Sequence, residues 1–217
     1  MIWDWGDFTS EADNDIALFL IYKESTAVLT PPAGWTEVAG FPVDDSVGGF
    51  KYRADLWWRR RAGEANNATY TWSWTGSTFH AGVELVYRGC ITTQTPILTV
   101  GIDTEAAQTD QPVNPGIELT SDAAALLFLI WNFGNTLQTA PSGFTERWDN
   151  SAEGNKANDD LTTVSGATGT VTGNLVTPDY AMSVLLELAS QVANTPEGLG
   201  RPFGLRGRQQ MHQLLAR

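Results

Sequence analysis

Ala17-Leu-Phe-Leu-Ile-Tyr22 returns later in the chain as Leu126-Leu-Phe-Leu-Ile-Trp131, and this pair of stretches decides which fold is predicted. The offset between them is 109 residues. Without a gap, the same offset lays Thr30-Pro-Pro-Ala-Gly-Trp-Thr-Glu37 over Thr139-Ala-Pro-Ser-Gly-Phe-Thr-Glu146, and nine of the 21 positions from 17 to 37 are identical. The period is too long for a solenoid. It indicates two similar halves of one sandwich, at approximately residues 15-90 and 122-190.

The correspondence continues farther along the chain at an offset of 101 residues, although fewer positions match. Thr69-Tyr-Thr-Trp-Ser-Trp74 meets Thr170-Val-Thr-Gly-Asn-Leu175, and the range 83–87 meets 184–188. The repeat is therefore interpreted as duplicated strand architecture.

Each half is predicted to consist of short β-strands. The candidate segments are rich in β-branched and aromatic residues and are bounded by Gly, Pro, Asn or Ser. Alternation places Tyr70, Trp72 and Trp74 on one face. No amphipathic helix separates the segments, so the predicted fold class is all-β, an antiparallel β-sandwich or jelly roll, with residues 1-190 as one domain. The predicted strands are Ala17–Lys23, Tyr52–Arg59, Ala68–Trp74 and Ala81–Arg88, then Ala125–Phe133, Asp160–Val164, Gly169–Leu175 and Ala181–Leu188.

Composition excludes several classes of function. The 217 residues hold 25 acidic residues against 13 Lys and Arg, a net charge of −12. This charge would repel phosphate, so the main body is not expected to bind nucleic acid. No stretch reaches the roughly 18 to 20 apolar residues of a membrane span, so we expect no membrane partner. The acidic N-terminus lacks the basic region of a signal peptide, so we expect synthesis in the cytoplasm. The single cysteine, Cys90, excludes a disulfide framework and a multi-cysteine zinc site.

The charge is divided between the body and the end of the chain. From Pro196 onward four arginines accompany one glutamate, which gives this stretch a charge of +3. Because the whole chain carries −12, the body carries −15. Residues 191-217 are predicted to form an extended, basic, Gly- and Arg-rich C-terminal arm with a short helix from Arg208 onward, and a disordered terminus is the alternative. The residues expected to dock on a neighbour are Arg201, Phe203, Leu205, Arg206, Arg208, Met211 and Leu214.

Four landmarks in the first half carry a family resemblance. Pro32-Ala-Gly-Trp-Thr-Glu-Val38, Ala54-Asp-Leu-Trp-Trp-Arg59, Ala68-Thr-Tyr-Thr-Trp72 and Glu84-Leu-Val-Tyr-Arg-Gly89 follow one another in this order. They resemble a recurring β-sandwich domain of bacteriophage virion proteins and some bacterial surface proteins, over roughly residues 15 to 190. The resemblance implies a structural role, as a head decoration or tail component, and it carries over no catalytic residues.

Candidate catalytic groups are few. His80 heads a predicted strand without an identifiable partner, and His212 lies in the arm. Cys90 ends a strand, where a packed thiol is expected rather than a nucleophile. No Gly-x-Ser-x-Gly elbow supports a serine triad. We therefore expect neither an enzyme nor a cofactor.

The carboxylates are abundant but do not predict a site. Asp44-Asp45 and Asp159-Asp160 are adjacent pairs whose members point to opposite faces of a strand, so neither pair is a ready acid–base couple. The cluster from Asp4 to Asp15 and the loop from Asp149 to Asp160 offer oxygen ligands of the kind that calcium prefers. Neither follows the Asp-x-Asp-x-Asp-Gly pattern, so solvated acidic loops are the favoured interpretation.

The nine tryptophans leave a second function open. Trp57 and Trp58 are neighbours in a predicted strand, so they point to opposite faces, and one of them could be an exposed platform for a glycan. Trp35 and its counterpart Phe144 each follow a turn glycine, which predicts that they anchor the core. The run Arg59-Arg60-Arg61 also alternates and is expected to pair with acidic groups.

The function predicted from these observations is that of a non-enzymatic virion structural protein. It is expected to form a homo-oligomer and to assemble with other virion proteins through its sandwich surfaces and its arm. The alternative is a glycan-binding or host-receptor-binding module that uses Trp57 or Trp58.

Overall fold

The computed structural model describes residues 2–4, 13–24, 26–47, 50–63, 69–76, 80–105, 111–120, 123–132, 138–150, 155–161, 163, 165–176 and 180–191. Within these ranges every regular element is a β-strand and every strand pairing is antiparallel, which confirms the predicted all-β class and is consistent with a β-sandwich. No helix long and apolar enough to cross a membrane occurs in them. The jelly-roll connectivity stays a prediction, and the C-terminal arm with its short helix lies outside the described residues.

The chain divides into two compact units, the first of which ends at Tyr87. Its main sheet has the order β3-β5-β2-β7, with β4 also paired to β5, and a second, two-stranded sheet joins β1 to β6. The central strand β2 is buried along its whole length. The strands are β1 (Ile2–Asp4), β2 (Ile16–Lys23), β3 (Thr36–Glu37), β4 (Val43–Val47), β5 (Phe50–Arg60), β6 (Thr69–Thr71) and β7 (His80–Tyr87).

The second unit begins at Arg88. Its main sheet has the order β13-β14-β11-β18-β8, and three two-stranded sheets pair β10 with β15, β12 with β17 and β16 with β9. The strands are β8 (Ile97–Glu105), β9 (Val113–Asn114), β10 (Glu118–Leu119), β11 (Ala123–Asn132), β12 (Gln138–Thr139), β13 (Thr145–Asn150), β14 (Asn155–Asp160), β15 (Gly166–Ala167), β16 (Val171–Thr172), β17 (Asn174–Leu175) and β18 (Ala181–Ala189).

The strand registers reproduce the sequence repeat. In the first unit Leu20 pairs with Val83, and in the second Leu129 pairs with Val184, which are the positions that the offsets of 109 and 101 predict. The order β3-β5-β2-β7 matches β13-β14-β11-β18 strand for strand. Each unit is thus the same four-stranded arrangement around a hydrophobic central strand.

The core of the first unit is aromatic. One face of β2 presents Ala17, Phe19 and Ile21 to a layer that contains Leu29, Trp35 and Trp72. The Phe19 and Trp72 rings stack with centroids 4.4 Å apart. Tyr70 and Trp74 pack against the same cluster, so the alternation correctly predicted the face shared by Tyr70, Trp72 and Trp74.

The core of the second unit is mostly aliphatic. Leu126, Phe128 and Ile130 of β11 pack against Ile117, Leu119, Val171 and Leu185, with Phe144 partly buried beside them. Phe144 therefore occupies the position of Trp35, as the repeat predicts. The turn before each of these two aromatic residues contains a glycine at φ 87°, Gly34 and Gly143, a backbone conformation that other residues rarely adopt.

Several strand boundaries differ from the sequence prediction. Of the predicted strand Asp160–Val164, only Asp160 lies in a strand among the residues that the structure describes; it ends β14, which lies earlier, at Asn155–Asp160, and pairs antiparallel with β13. The predicted segment 169–175 is divided into β16 and β17. Strands β4, β8 and β13 were not predicted, nor were the two- and three-residue strands β1, β3, β9, β10, β12 and β15.

Candidate functional site

The two tryptophans proposed as a glycan platform are both half-buried. Trp57 packs against the aromatic core, with its ring centroid 5.9 Å from that of Trp72 in an edge-on arrangement. Trp58 lies on the opposite face of β5, opposite Leu18 of β2. The largest exposed hydrophobic side chains among the described residues are Val28, Leu98 and Val176.

The other candidate residues that the structure describes are buried or make hydrogen-bond and packing contacts within the chain. Cys90 is a buried free thiol, as expected. Arg59 donates from a guanidinium nitrogen to the Ala33 carbonyl (3.0 Å), and its guanidinium carbon lies 4.9 Å from the Tyr70 ring centroid. The side chain of His80 lies outside the described residues, as do His212 and the predicted arm contacts Arg201, Phe203, Leu205, Arg206, Arg208, Met211 and Leu214.

The carboxylates considered for calcium contact basic or backbone groups where they are described. Asp13 accepts a hydrogen bond from the Gly63 amide (2.6 Å). In the segment from Asp149 to Asp160, the described residues 149–150 and 155–160 belong to the paired strands β13 and β14, and Asp149 accepts a hydrogen bond from Lys156. The described residues contain no group of three or more His, Cys, Asp or Glu side chains that could hold a metal ion.

A buried ion network crosses strands β2 and β5 of the first unit. The Lys23 ammonium contacts the Asp55 carboxylate, and both side chains are fully buried. The Arg53 guanidinium donates to the other Asp55 oxygen at 3.0 Å and lies 3.6 Å from Asp44. Burial lowers the pKa of Lys23, and the hydrogen bond and charge of Asp55 oppose that shift. Because both partners are shielded from solvent, this network holds the two strands together rather than presenting groups to a substrate.

The second unit also has a buried ion network, but a lysine stands at its centre where the first unit has an aspartate. Lys156 occupies the position of Asp55, since Ile130 pairs with Lys156 as Ile21 pairs with Asp55. The buried Lys156 ammonium binds Glu146 at 2.7 Å and Asp149 at 3.2 Å. The buried Asp159 accepts a bond from Arg147 at 2.7 Å.

Glu37 and Glu146, which are equivalent in the repeat, are expected to respond to replacement by glutamine with opposite signs. Burial and then the Asp55 charge raise the pKa of Glu37, so ionised Glu37 is disfavoured in the folded state. The cost is absent below the ordinary pKa of 4.5, grows as the pH rises from there, and is complete above the folded-state value. Glu37→Gln should therefore stabilise the protein increasingly from pH 4 to pH 7, as measured by urea unfolding.

Glu146→Gln is the matched control. Glu146 is half exposed and binds the buried Lys156 at 2.7 Å. Loss of this ion pair should lower the free energy of unfolding at pH 7 by about 1 kcal/mol. Two replacements that change stability in the same direction at pH 7 would contradict the proposed difference between the sites.

An open groove of about 540 Å³ lies in the second unit. Its apolar part consists of Leu119, Leu126, Pro141, Val171 and the half-buried ring of Phe144. Hydroxyl, amide and carboxylate side chains supply the rest of the lining: Ser142, Asp160, Thr163, Thr168, Thr170, Thr172 and Asn174, with Ala167 beside them.

The repeat explains why the second unit has space at this position. Arg59 pairs with Ala17, and at the equivalent position Asp160 pairs with Leu126. By the offset of 101 residues, Tyr70 and Trp72 correspond to Val171 and Gly173. Three large side chains of the first unit are thus replaced by smaller ones in the second.

Gly173 is not among the residues that line the groove, and the space of the missing indole is filled at this position. A Cβ atom there would come within 2.6 Å of Pro112 and 2.8 Å of Ile130, so the aliphatic core leaves no room for a side chain. Trp72, its counterpart, is one of the largest fully buried side chains in the first unit. The sequence signal for the groove is the loss of bulk at two aligned positions that line it, Asp160 for Arg59 and Val171 for Tyr70, and no cavity was predicted from it.

Comparison with protein-family models, with curated proteins and with solved structures finds no match to this chain.

Proposed function

We propose that the chain is a non-enzymatic structural protein of a bacteriophage virion, a head decoration or tail component. In this proposal it forms a homo-oligomer and contacts other virion proteins through its β-sandwich surfaces and its C-terminal arm.

The observation that carries the proposal is the role of the landmark residues. Those that support the resemblance to virion domains build the first unit instead of lining a reactive site. Trp35 and Trp72 form its aromatic core. Gly34 makes the turn before Trp35 with a positive φ, and Arg59 covers Tyr70. Motif residues that serve packing are expected in a domain with a structural role.

The buried networks support the same proposal. Lys23, Asp55, Lys156 and Asp159 are fully buried charges, each joined across neighbouring strands to an opposite charge. Removal of one partner from such a pair is strongly destabilising, so the networks fix the strand register. Rigid units of this kind suit repeated assembly.

The charge distribution favours an arm that docks on another copy or on a neighbouring virion protein. The body carries −15 and the stretch from Pro196 carries +3. Opposite charges steer association and set its orientation. We expect binding of the arm to a partner to cost conformational entropy, so its affinity should depend on how well the partner's surface matches it.

Truncation after Thr195 tests the role of the arm. We expect full-length protein to form a homo-oligomer in light scattering and to bind purified particles, and the truncated protein to be monomeric and to bind at least tenfold more weakly. A full-length variant with Arg201, Arg206 and Arg208 replaced by Gln separates arm charge from arm length. Equal oligomeric state and equal particle binding in all three proteins would contradict an arm function.

Location in the virion is tested separately by labelling. An antibody against the β units should decorate purified particles at regular positions in electron micrographs. Particles that lack this chain altogether would refute the virion proposal, whatever the behaviour of the arm.

The alternative glycan platform at Trp57 or Trp58 has less structural support. Trp57 is part of the packing around Trp72, and both side chains are half-buried. The chemistry expected of a glycan site is found instead in the groove of the second unit.

A further inference from the structure

We propose that the groove between β11, β14 and β16 of the second unit binds a neutral carbohydrate. The inference is independent of the virion proposal, because it rests on the side chains of the groove and on how they differ from the first unit.

The first step is the chemistry of the lining. Phe144 offers a half-buried aromatic ring, and Leu119, Leu126 and Val171 extend the apolar surface beside it. Around this surface lie a carboxylate, an amide and several hydroxyl groups. A small-molecule site is typically apolar with a few polar groups that set orientation. Sugar rings have that same division, with apolar C–H faces and a rim of hydroxyl groups.

The second step is the match of hydrogen-bonding groups. A sugar hydroxyl both donates and accepts. The Asp160 carboxylate accepts hydrogen bonds. The Asn174 amide nitrogen donates one hydrogen bond to the Ala140 carbonyl at 3.5 Å, and its second N–H and its oxygen can still donate and accept. Asn174 is exposed at the groove, and Asp160 is half-buried in its wall. This pair suits neighbouring hydroxyl groups of one ring better than it suits an apolar ligand.

A further polar group in the wall points the same way. The Thr163 hydroxyl is buried and has no hydrogen-bond partner among the described residues. Buried hydroxyl groups are normally paired. By contrast, the Thr168 hydroxyl is already used, because it accepts from the Ile117 amide and donates to the Gly169 carbonyl, both at 3.0 Å.

The third step is charge, which excludes acidic ligands. Among the lining residues that the structure describes, Asp160 is the one charged side chain, and the body as a whole is strongly acidic. An anionic sugar, a phosphate or a nucleotide would be repelled. The ligand class is therefore a neutral monosaccharide or short oligosaccharide, for which 540 Å³ lies within the usual range of ligand sites.

The fourth step is the comparison within the chain. In the first unit the corresponding positions hold Arg59 over Tyr70 and Trp72 stacked on Phe19. In the second unit Asp160, Val171 and Gly173 take the places of Arg59, Tyr70 and Trp72. At the groove, the second unit therefore has smaller side chains and a carboxylate where the first unit has Arg59 packed over Tyr70. This difference leaves space and a polar group that a ligand can contact.

The test uses the full-length chain and saturation-transfer NMR. The probes are methyl glycosides of glucose, galactose, mannose, rhamnose, N-acetylglucosamine and N-acetylgalactosamine, together with the maltose, cellulose and chitin trisaccharides. We expect saturation transfer to at least one probe. Its affinity should fall at least tenfold in Asp160→Asn and in Phe144→Ala.

Two further variants make the test specific. Thr172→Trp places bulk on the exposed groove rim and should also abolish transfer, while Glu118→Gln removes an exposed carboxylate outside the groove lining and should leave affinity within twofold of the original. Near-UV circular dichroism establishes that each variant is folded. No transfer to any probe, transfer that survives Asp160→Asn and Thr172→Trp, or transfer lost in Trp58→Ala instead, would each overturn the groove proposal.

Discussion

Replacement of Trp72 by alanine is expected to lower the free energy of unfolding by about 3–5 kcal/mol, the range for large aromatic side chains removed from a core. Trp72 is 1% exposed. Its ring stacks on Phe19 at 4.4 Å and meets Trp35 and Trp57 edge-on at 5.0 and 5.9 Å. Removal of the indole leaves a cavity at the centre of this cluster, and the rigid β2 strand cannot close over it.

Urea unfolding followed by tryptophan fluorescence and by far-UV circular dichroism measures this loss. Trp72→Phe retains an aromatic ring over Phe19 and should lose about half as much. Trp74→Ala, at a half-buried position of the same layer, is the matched control and should lose about 1 kcal/mol. A loss in Trp72→Ala no larger than that of Trp74→Ala would show that Trp72 is not central to the core.

The elements that could be predicted from sequence are those whose burial follows a simple period. The hydrophobic strands β2 and β11 are visible as apolar runs, and alternation in Thr69–Trp74 gave the buried face of Trp72. The ungapped repeat predicted that Phe144 takes the place of Trp35. In each case a local pattern of apolar residues determines the structure, so no knowledge of distant contacts is needed.

Strand β14 could not be predicted, because its stability comes from distant partners. Asn155-Lys-Ala-Asn-Asp-Asp160 contains one apolar residue, yet positions 156–159 are all buried. The buried charges Lys156 and Asp159 are paired with residues of β13, and Asn158 donates to the Phe128 carbonyl of β11. Local composition suggested a solvated acidic loop, whereas pairing across strands makes these polar residues a buried strand.

The groove was overlooked for a related reason. A cavity is defined by atoms that are missing, and no motif marks it. Only the aligned pairs Arg59 with Asp160 and Tyr70 with Val171 indicate it. They can be interpreted once the first unit shows the two larger side chains packed together.

Replacement of Asp55 by leucine is expected to lower the free energy of unfolding at pH 7 by about 3–5 kcal/mol, because it leaves buried cations without their carboxylate. Asp55 is fully buried and is shared by Lys23 and Arg53. The double variant Lys23→Met/Asp55→Leu should recover most of the loss, since an apolar pair of similar volume removes the unpaired ammonium. Guanidinium unfolding of the single and double variants measures both effects.

The pH dependence distinguishes an unpaired lysine from simple misfit of leucine. Burial already lowers the pKa of Lys23, and Asp55 opposes that shift, so Asp55→Leu should lower this pKa further. Between the folded value and the ordinary value of about 10.4 the unfolded state binds more protons, so stability rises with pH there. The loss in Asp55→Leu should therefore shrink from pH 7 to pH 9, whereas the free energy of unfolding of the double variant should not change through this group, because it has no lysine at position 23.

Asp159→Leu in the second unit is the matched comparison. Asp159 is as deeply buried as Asp55, but its partner Arg147 has a side chain that is 28% exposed and keeps access to water. The stranded cation is then solvated, so the loss should be only about 1–3 kcal/mol. It should also be independent of pH between 7 and 9, because arginine does not deprotonate there. If Asp55→Leu and Asp159→Leu cost the same and neither loss changes with pH, the cost arises from packing, and the buried charge of Lys23 is not what makes Asp55 indispensable.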